Sequence, residues 1–173
     1  MKSIALNTLN YTGIVTLSQY KGKKKKIIKK IKNRGGNPLF DFFASCLIGD
    51  FTTAAKNRPT KIMFLDQVKD ENNNDAVSFT SASAFIYLTT EPQQILNANG
   101  EGSTVCYSFT IPSEYFNSIF NCVGLFPDSA TAYDLTKFAA LAEFNLNNAT
   151  FDKSTVLILD WELSITTAEA SLI

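Results

Sequence analysis

Residues 154–167, STVLILDWELSITT, constrain the fold more than any other stretch. Leu157, Leu159, Trp161, Leu163 and Ile165 alternate strictly with Ile158, Asp160, Glu162, Ser164 and Thr166. Successive side chains of a strand point to opposite faces, so this pattern gives one apolar face and one mixed, wetter face. A strand of that kind lies with one side on a core, and Trp161 is predicted to sit in it. Other segments read the same way: 3–9 and 12–20, joined near Asn10; 103–111, with Val105, Tyr107, Phe109 and Ile111 on one side; 76–90; and roughly 137–145. Pro59 opens the apolar strand TKIMFLDQV, and CVGLF at 122–126 is a further apolar piece. About eight strands against one helix predict a mainly β chain, an antiparallel β-sandwich or barrel-like domain with one amphipathic helix packed on it. Alternating βαβ units are not indicated.

The helix is predicted within NRGGNPLFDFFASCLIGDF, residues 33–51. Asn37 can cap it, Pro38 fits its first helical position and Asp41 falls in the first turn, while Gly49 stands where a helix commonly stops. Leu39, Phe42, Phe43, Cys46 and Leu47 recur at helical spacing and, with Trp161, form the expected structural core. FTTAAKNR at 51–58 reads as a short helical turn or a loop, and PSEYFNSIF as one helical turn.

At 173 residues the chain is expected to form a single domain, 1–173, with a sizeable core. No apolar run approaches the ~18 residues of a membrane helix, and MKSIALNTLNYTG lacks the apolar centre of a signal peptide, so a soluble intracellular product outside the membrane is expected. Histidine is absent and there are three cysteines, Cys46, Cys106 and Cys122. That removes the commonest general base and metal ligand, and the odd, scattered cysteines read as small buried hydrophobes rather than a disulfide framework. Asp160 and Glu162 project the same way from one strand, about 6.5 Å apart, a spacing that suits paired catalytic carboxylates but is far commoner on a solvated strand face. DENNND at 70–75 begins like a calcium loop and then fails, with Asp75 where glycine is needed and Ser81 where the bidentate Glu belongs. Gly35-Gly36 lacks the rest of a phosphate loop, and the sequons at Asn10 and Asn148 need a secretory route. The expectation is therefore a protein without catalysis, cofactor or metal.

Charge is the other strong signal. The formal net charge is zero, yet KGKKKKIIKKIKNR at 21–34 holds nine of the sixteen Lys and Arg and no acid, leaving seven basic residues against sixteen acidic ones elsewhere. Ile27, Ile28 and Ile31 fit a helix, but Lys21-Gly22 offers a turn and Gly35-Gly36 a break, so the run is predicted as a strand paired back on 12–20. Lys23, Lys24, Lys25, Lys26, Lys29, Lys30 and Lys32 on one side, and Asp160 and Glu162 on the other, are the candidate interface residues, toward a second subunit, another acidic partner or a DNA backbone. Lacking interleaved aromatics and with few arginines, the run would touch DNA without regard to sequence. Contact between subunits through these charges should weaken with salt.

TGIVTLSQY followed by a polar strand, NRGGNPLFDFFASCLIGDF and NRPTKIMFL resembles the N-terminal half of small structural proteins of the crAss-like bacteriophages, short-tailed viruses of gut Bacteroidetes. LAEFNLNNATFDKSTVLILDWELSI is similar to a common phage-structural ending, and the lysine load before the helix departs from the pattern. The resemblance implies a virion protein of the neck or tail, made in the host cytoplasm. It would form a homo-oligomeric ring beside other neck, tail or portal proteins, with sequence-independent contact to packaged DNA as a further possibility. A capsid decoration protein, or an accessory protein gripping the DNA backbone with the Lys21 to Arg34 hairpin, are the alternative expectations.

Overall fold

The computed structural model describes residues 8–68, 78–96, 103–115, 120–131, 137–143 and 151–168. In chain order the strands are β1 (Thr8–Lys21), β2 (Lys24–Lys32), β3 (Arg34–Gly35), β4 (Pro59–Val68), β5 (Ser78–Ala82), β6 (Ile86–Tyr87), β7 (Gln93–Ile95), β8 (Ser103–Ile111), β9 (Cys122–Pro127), β10 (Ala140–Glu143) and β11 (Val156–Ala168). Helices α1 (Asn37–Ile48) and α2 (Phe51–Asn57) lie between β3 and β4, and Ser113–Tyr115 make one 3-10 turn. The strands form two antiparallel sheets, ordered β2-β1-β11-β8-β7 and β3-β10-β9-β4-β5, with β6 also on β4. The chain is thus mainly β, with a core shared between two sheets.

The alternating strand is the middle of the first sheet. Trp161 pairs with Val15 on one side and Tyr107 on the other, and Leu159 with Leu17 and Phe109. Directly opposed residues share a face, so these six side chains build one layer of the core, and all are buried. The second sheet meets it with Ile62, Phe64, Val123, Leu125, Ala140 and Ala142. The intervening residues Met63, Leu65, Cys122, Phe126 and Leu141 are buried too, under Phe85, Ala130 and Phe138. That sheet is covered on both sides, which is why KIMFL and CVGLF read as unbroken apolar runs while β11 alternates.

Two expected elements take a different form, and one strand is added. β1 runs unbroken through Asn10, in register with β11 from Thr8 to Tyr20, so no joint occurs there among the described residues. The 76–90 segment is two strands, β5 and β6, because Ser83 substitutes side chain for backbone: its hydroxyl accepts from Phe64 N at 3.0 Å and donates to the Ala84 carbonyl at 2.7 Å. Short β7 follows Pro92 and pairs with β8.

The helix forms where expected and stops at Gly49, whose φ of 77° suits glycine. Its cap is Gly36 rather than Asn37, which moves Pro38 to the second position and leaves no acid in the first turn, Asp41 lying beyond it. Leu39 is fully buried and Phe43 packs on the core, with Phe42 half-buried. Cys46 and Leu47 are exposed, which corrects their assignment to the core. The reason is visible in NPLFDFFASCLI: apolar residues surround this helix, so spacing alone did not choose the side that faces the sheets. A second helix, α2, takes up FTTAAKN, capped by Asp50, whose carboxylate accepts from Thr53 N at 3.0 Å. DENNND, NANGEG and residues 147–150 of NNATFDK lie outside the described residues.

Candidate functional site

The expected hairpin exists. β2 pairs antiparallel with β1 from Lys21↔Lys24 to Ile14↔Lys32 around Gly22-Lys23, and a bulge at Ile28 shifts the register between Leu17 and Ser18. The bulge lets Lys25 sit on the same face as Lys30 and Lys32, across from Tyr20, Thr16 and Ile14 respectively. Thr16 and Ile14 in turn pair with Asp160 and Glu162 on their other side. Lys25, Lys30 and Lys32 therefore share the outer face of the first sheet with Asp160 and Glu162, two strands or roughly 10 Å apart, whereas Lys24, Lys26 and Lys29, across from Lys21, Gln19 and Leu17, lie on the opposite face.

One ion pair closes that gap. Lys25 Nζ lies 3.8 Å from Asp160, whose carboxylate is 17% exposed and accepts a 2.6 Å hydrogen bond from Ser108 Oγ. Contact with the Tyr20 hydroxyl, above all, and the pull of Asp160 hold the Lys25 ammonium above its ordinary pKa against partial burial. Beside them, burial and then the Asp160 charge push the Cys106 thiol up, so at neutral pH it stays protonated and a poor nucleophile. Lys21 reaches Asp152 at 3.9 Å. Lys23, Lys24, Lys26, Lys29, Lys30 and Lys32 make no ion pair among the described residues, and neither does Glu162. Lys29 and Glu162 are half-buried and the other lysines are exposed.

At the turn end of the hairpin the same lysines border a notch of about 290 Å³. Side chains of Lys21, Lys24, Lys25 and Lys26 line it, and Gln19, Thr155 and Asp152 complete the wall. The wall is held by local bonds: Gln19 Nε2 donates to Thr155 Oγ1 at 3.0 Å, and Thr155 N donates to the Asp152 carbonyl at 3.0 Å. Hydrogen bonds from Ser154 hold the Asp152 carboxyl below its usual range. Gln19, Asp152 and Thr155 carry no motif, and only the fold brings them to the lysines, 136 positions apart in the case of Gln19 and Thr155.

A second surface went unread in the sequence. Leu47, Ile48 and Phe51, at the corner between α1 and α2, are 75, 79 and 74% exposed, and Phe40, two turns earlier on α1, is 51% exposed. Phe40 makes an edge contact with Tyr11 at 6.3 Å between ring centres. The signal was present as apolar residues on every side of α1. Among the described residues no three His, Cys, Asp or Glu side chains are grouped to hold a metal, and no helix is long and apolar enough to cross a membrane.

Compared with family models, curated proteins and solved structures, the chain matches none.

Proposed function

We propose that the chain is a structural subunit that works by association with copies of itself. The setting is the one its sequence resemblance implies: a homo-oligomeric ring in the neck or tail of a phage virion, below the portal. The observation that carries the association is the α1–α2 corner, where Leu47, Ile48 and Phe51 stand about three-quarters exposed within five residues of each other. Single exposed apolar residues are ordinary, whereas a contiguous group marks a contact surface. The corner is closed by a cap on each side, with Gly49 ending one helix and Asp50 beginning the next with its side chain. A head-to-tail contact between this corner and a different surface of the next copy generates a ring when its rotation closes.

Light scattering behind size exclusion, with negative-stain images of any large species, tests this. The expected result is a closed ring or a concentration-dependent oligomer that Leu47→Ser with Ile48→Ser reduces to monomer at unchanged thermal stability. An oligomer indifferent to the double substitution, or a protein monomeric at every concentration both alone and with portal-proximal virion proteins, overturns it.

A further inference from the structure

The notch at the turn end of the β1–β2 hairpin has a composition that a self-association surface does not need. Four lysine side chains line about 290 Å³, and the wall offers them one carboxylate, Asp152. Asp152 is taken up by Lys21, and Asp160, outside the notch, engages Lys25. Lys24 and Lys26 are left without an acid among the described residues. Lys21, Lys24 and Lys26 share one face by register, where like charges repel one another, and the repulsion is relieved by an anion placed between them. The neutral part of the wall suits an oxyanion as well, since the Gln19 amide carries a second N–H beyond the one given to Thr155.

We propose that this notch binds a phosphate group. Lysine ammoniums serve as point-charge ligands for phosphate, and Lys24 and Lys26 are the two free to do so without breaking an existing ion pair. The phosphate belongs to a chain of phosphates, because the basic surface does not end at the notch. Lys29, Lys30 and Lys32 continue along β2, the outer strand of its sheet, whose far edge no described strand covers. Lys29 lies on the same face as Lys24 and Lys26, and Lys25, Lys30 and Lys32 lie on the other, so a polyanion laid along the open edge of β2 meets ammonium groups from both faces. Asp152, on the notch rim, sets the polarity: the ligand enters on the Lys24–Lys26 side. This inference stands apart from the proposed self-association, which uses the helical corner.

The test uses the full chain and two probes, a fluorescent duplex of about 20 base pairs in two unrelated sequences and inorganic tripolyphosphate. Lys24→Ser with Lys26→Ser is compared with Lys30→Ser with Lys32→Ser, all at exposed positions, with circular dichroism to confirm the fold. Each lysine–phosphate contact makes binding fall about 3.5-fold for a fourfold rise in salt, so loss of two contacts should cut that salt response by about 12-fold. The expected result is binding at low salt that the notch substitutions weaken at least about tenfold and the distal pair weakens less. Equal binding of both duplexes identifies a nucleic-acid backbone as the source. Binding of tripolyphosphate alone identifies a free polyphosphate, and the notch assignment holds in either case. No binding of either probe at 50 mM salt, or binding lost with Lys30 and Lys32 but not with Lys24 and Lys26, overturns it.

Discussion

Ser18 is the residue at which the first sheet is least satisfied. It is fully buried on the outer face, between Ile27 of β2 and Ile158 of β11, and its hydroxyl has no partner among the described residues. An unmet buried hydroxyl costs more than its loss, so Ser18→Ala should raise stability by about 1 kcal/mol, read as a higher urea midpoint at unchanged slope. A lower midpoint would show that the hydroxyl is bonded after all. Trp161 presents the opposite case. Its ring is fully buried, and its indole N–H, a donor only, meets the Asn33 side chain. With the amide oxygen turned to the indole, the Asn33 nitrogen donates to the Tyr11 oxygen at 2.8 Å and to the Gly13 carbonyl at 3.3 Å. Residue 13 must be glycine because a Cβ there would collide with Asn33. Tyrosines also set an alkaline limit. Burial pushes the Tyr107 phenol up to about 12, and burial raises Tyr11 in the same direction. Folded Tyr107 keeps a proton that the unfolded chain releases from about pH 10, so its contribution is complete below pH 10 and is lost as pH rises toward 12. The loss is on the order of 2 kcal/mol, and urea unfolding between pH 8 and 11.5 should show a decline that Tyr107→Phe flattens; coincident profiles would refute it.

Among the elements, the strands were legible and the helical corner was not. β8 and β11 followed from period two because one face meets the core and the other does not, so burial wrote itself into the alternation. The β1–β2 hairpin was legible from its turn and glycine break even though its residues are mostly lysine. The side chosen by α1 was not, since Leu39 and Leu47 look alike in sequence and only contact with two sheets separates them. Lys61 was missed for a related reason. It is a charge inside an apolar run, buried on the covered face of β4, where its Nζ donates to the carbonyls of Asp128 and Ala130 at 2.9 and 2.7 Å and lies 4.6 Å from the Phe85 ring. Those acceptors come from a turn more than sixty residues away, which no local pattern announces. The corner itself depends on Gly49, whose φ of 77° is left-handed and whose N–H donates to the Cys46 carbonyl at 3.3 Å. Gly49→Ala leaves open space around the new methyl but strains the backbone, so it should destabilise by roughly 1–2 kcal/mol in thermal unfolding. No change would mean the corner bends elsewhere.

For the whole molecule, the question is whether charge or apolar surface joins its copies. From composition alone, a basic hairpin and an acidic remainder invite pairing between molecules, and salt should then dissolve the assembly. The fold alters the balance, because Lys25 already meets Asp160 within the subunit and Lys30 and Lys32 share a face with Glu162. Like surfaces carrying both signs match one another only in particular orientations, whereas the Leu47, Ile48 and Phe51 corner is apolar throughout and indifferent to ionic screening. We therefore expect the oligomer to persist at about 1 M NaCl while binding of phosphate chains to the hairpin disappears, the two activities separating on a single salt titration. Light scattering and duplex anisotropy measured on the same samples decide the point. An assembly that falls apart together with the duplex complex would return the subunit contact to the lysines, and would make the helical corner a surface for some other neighbour.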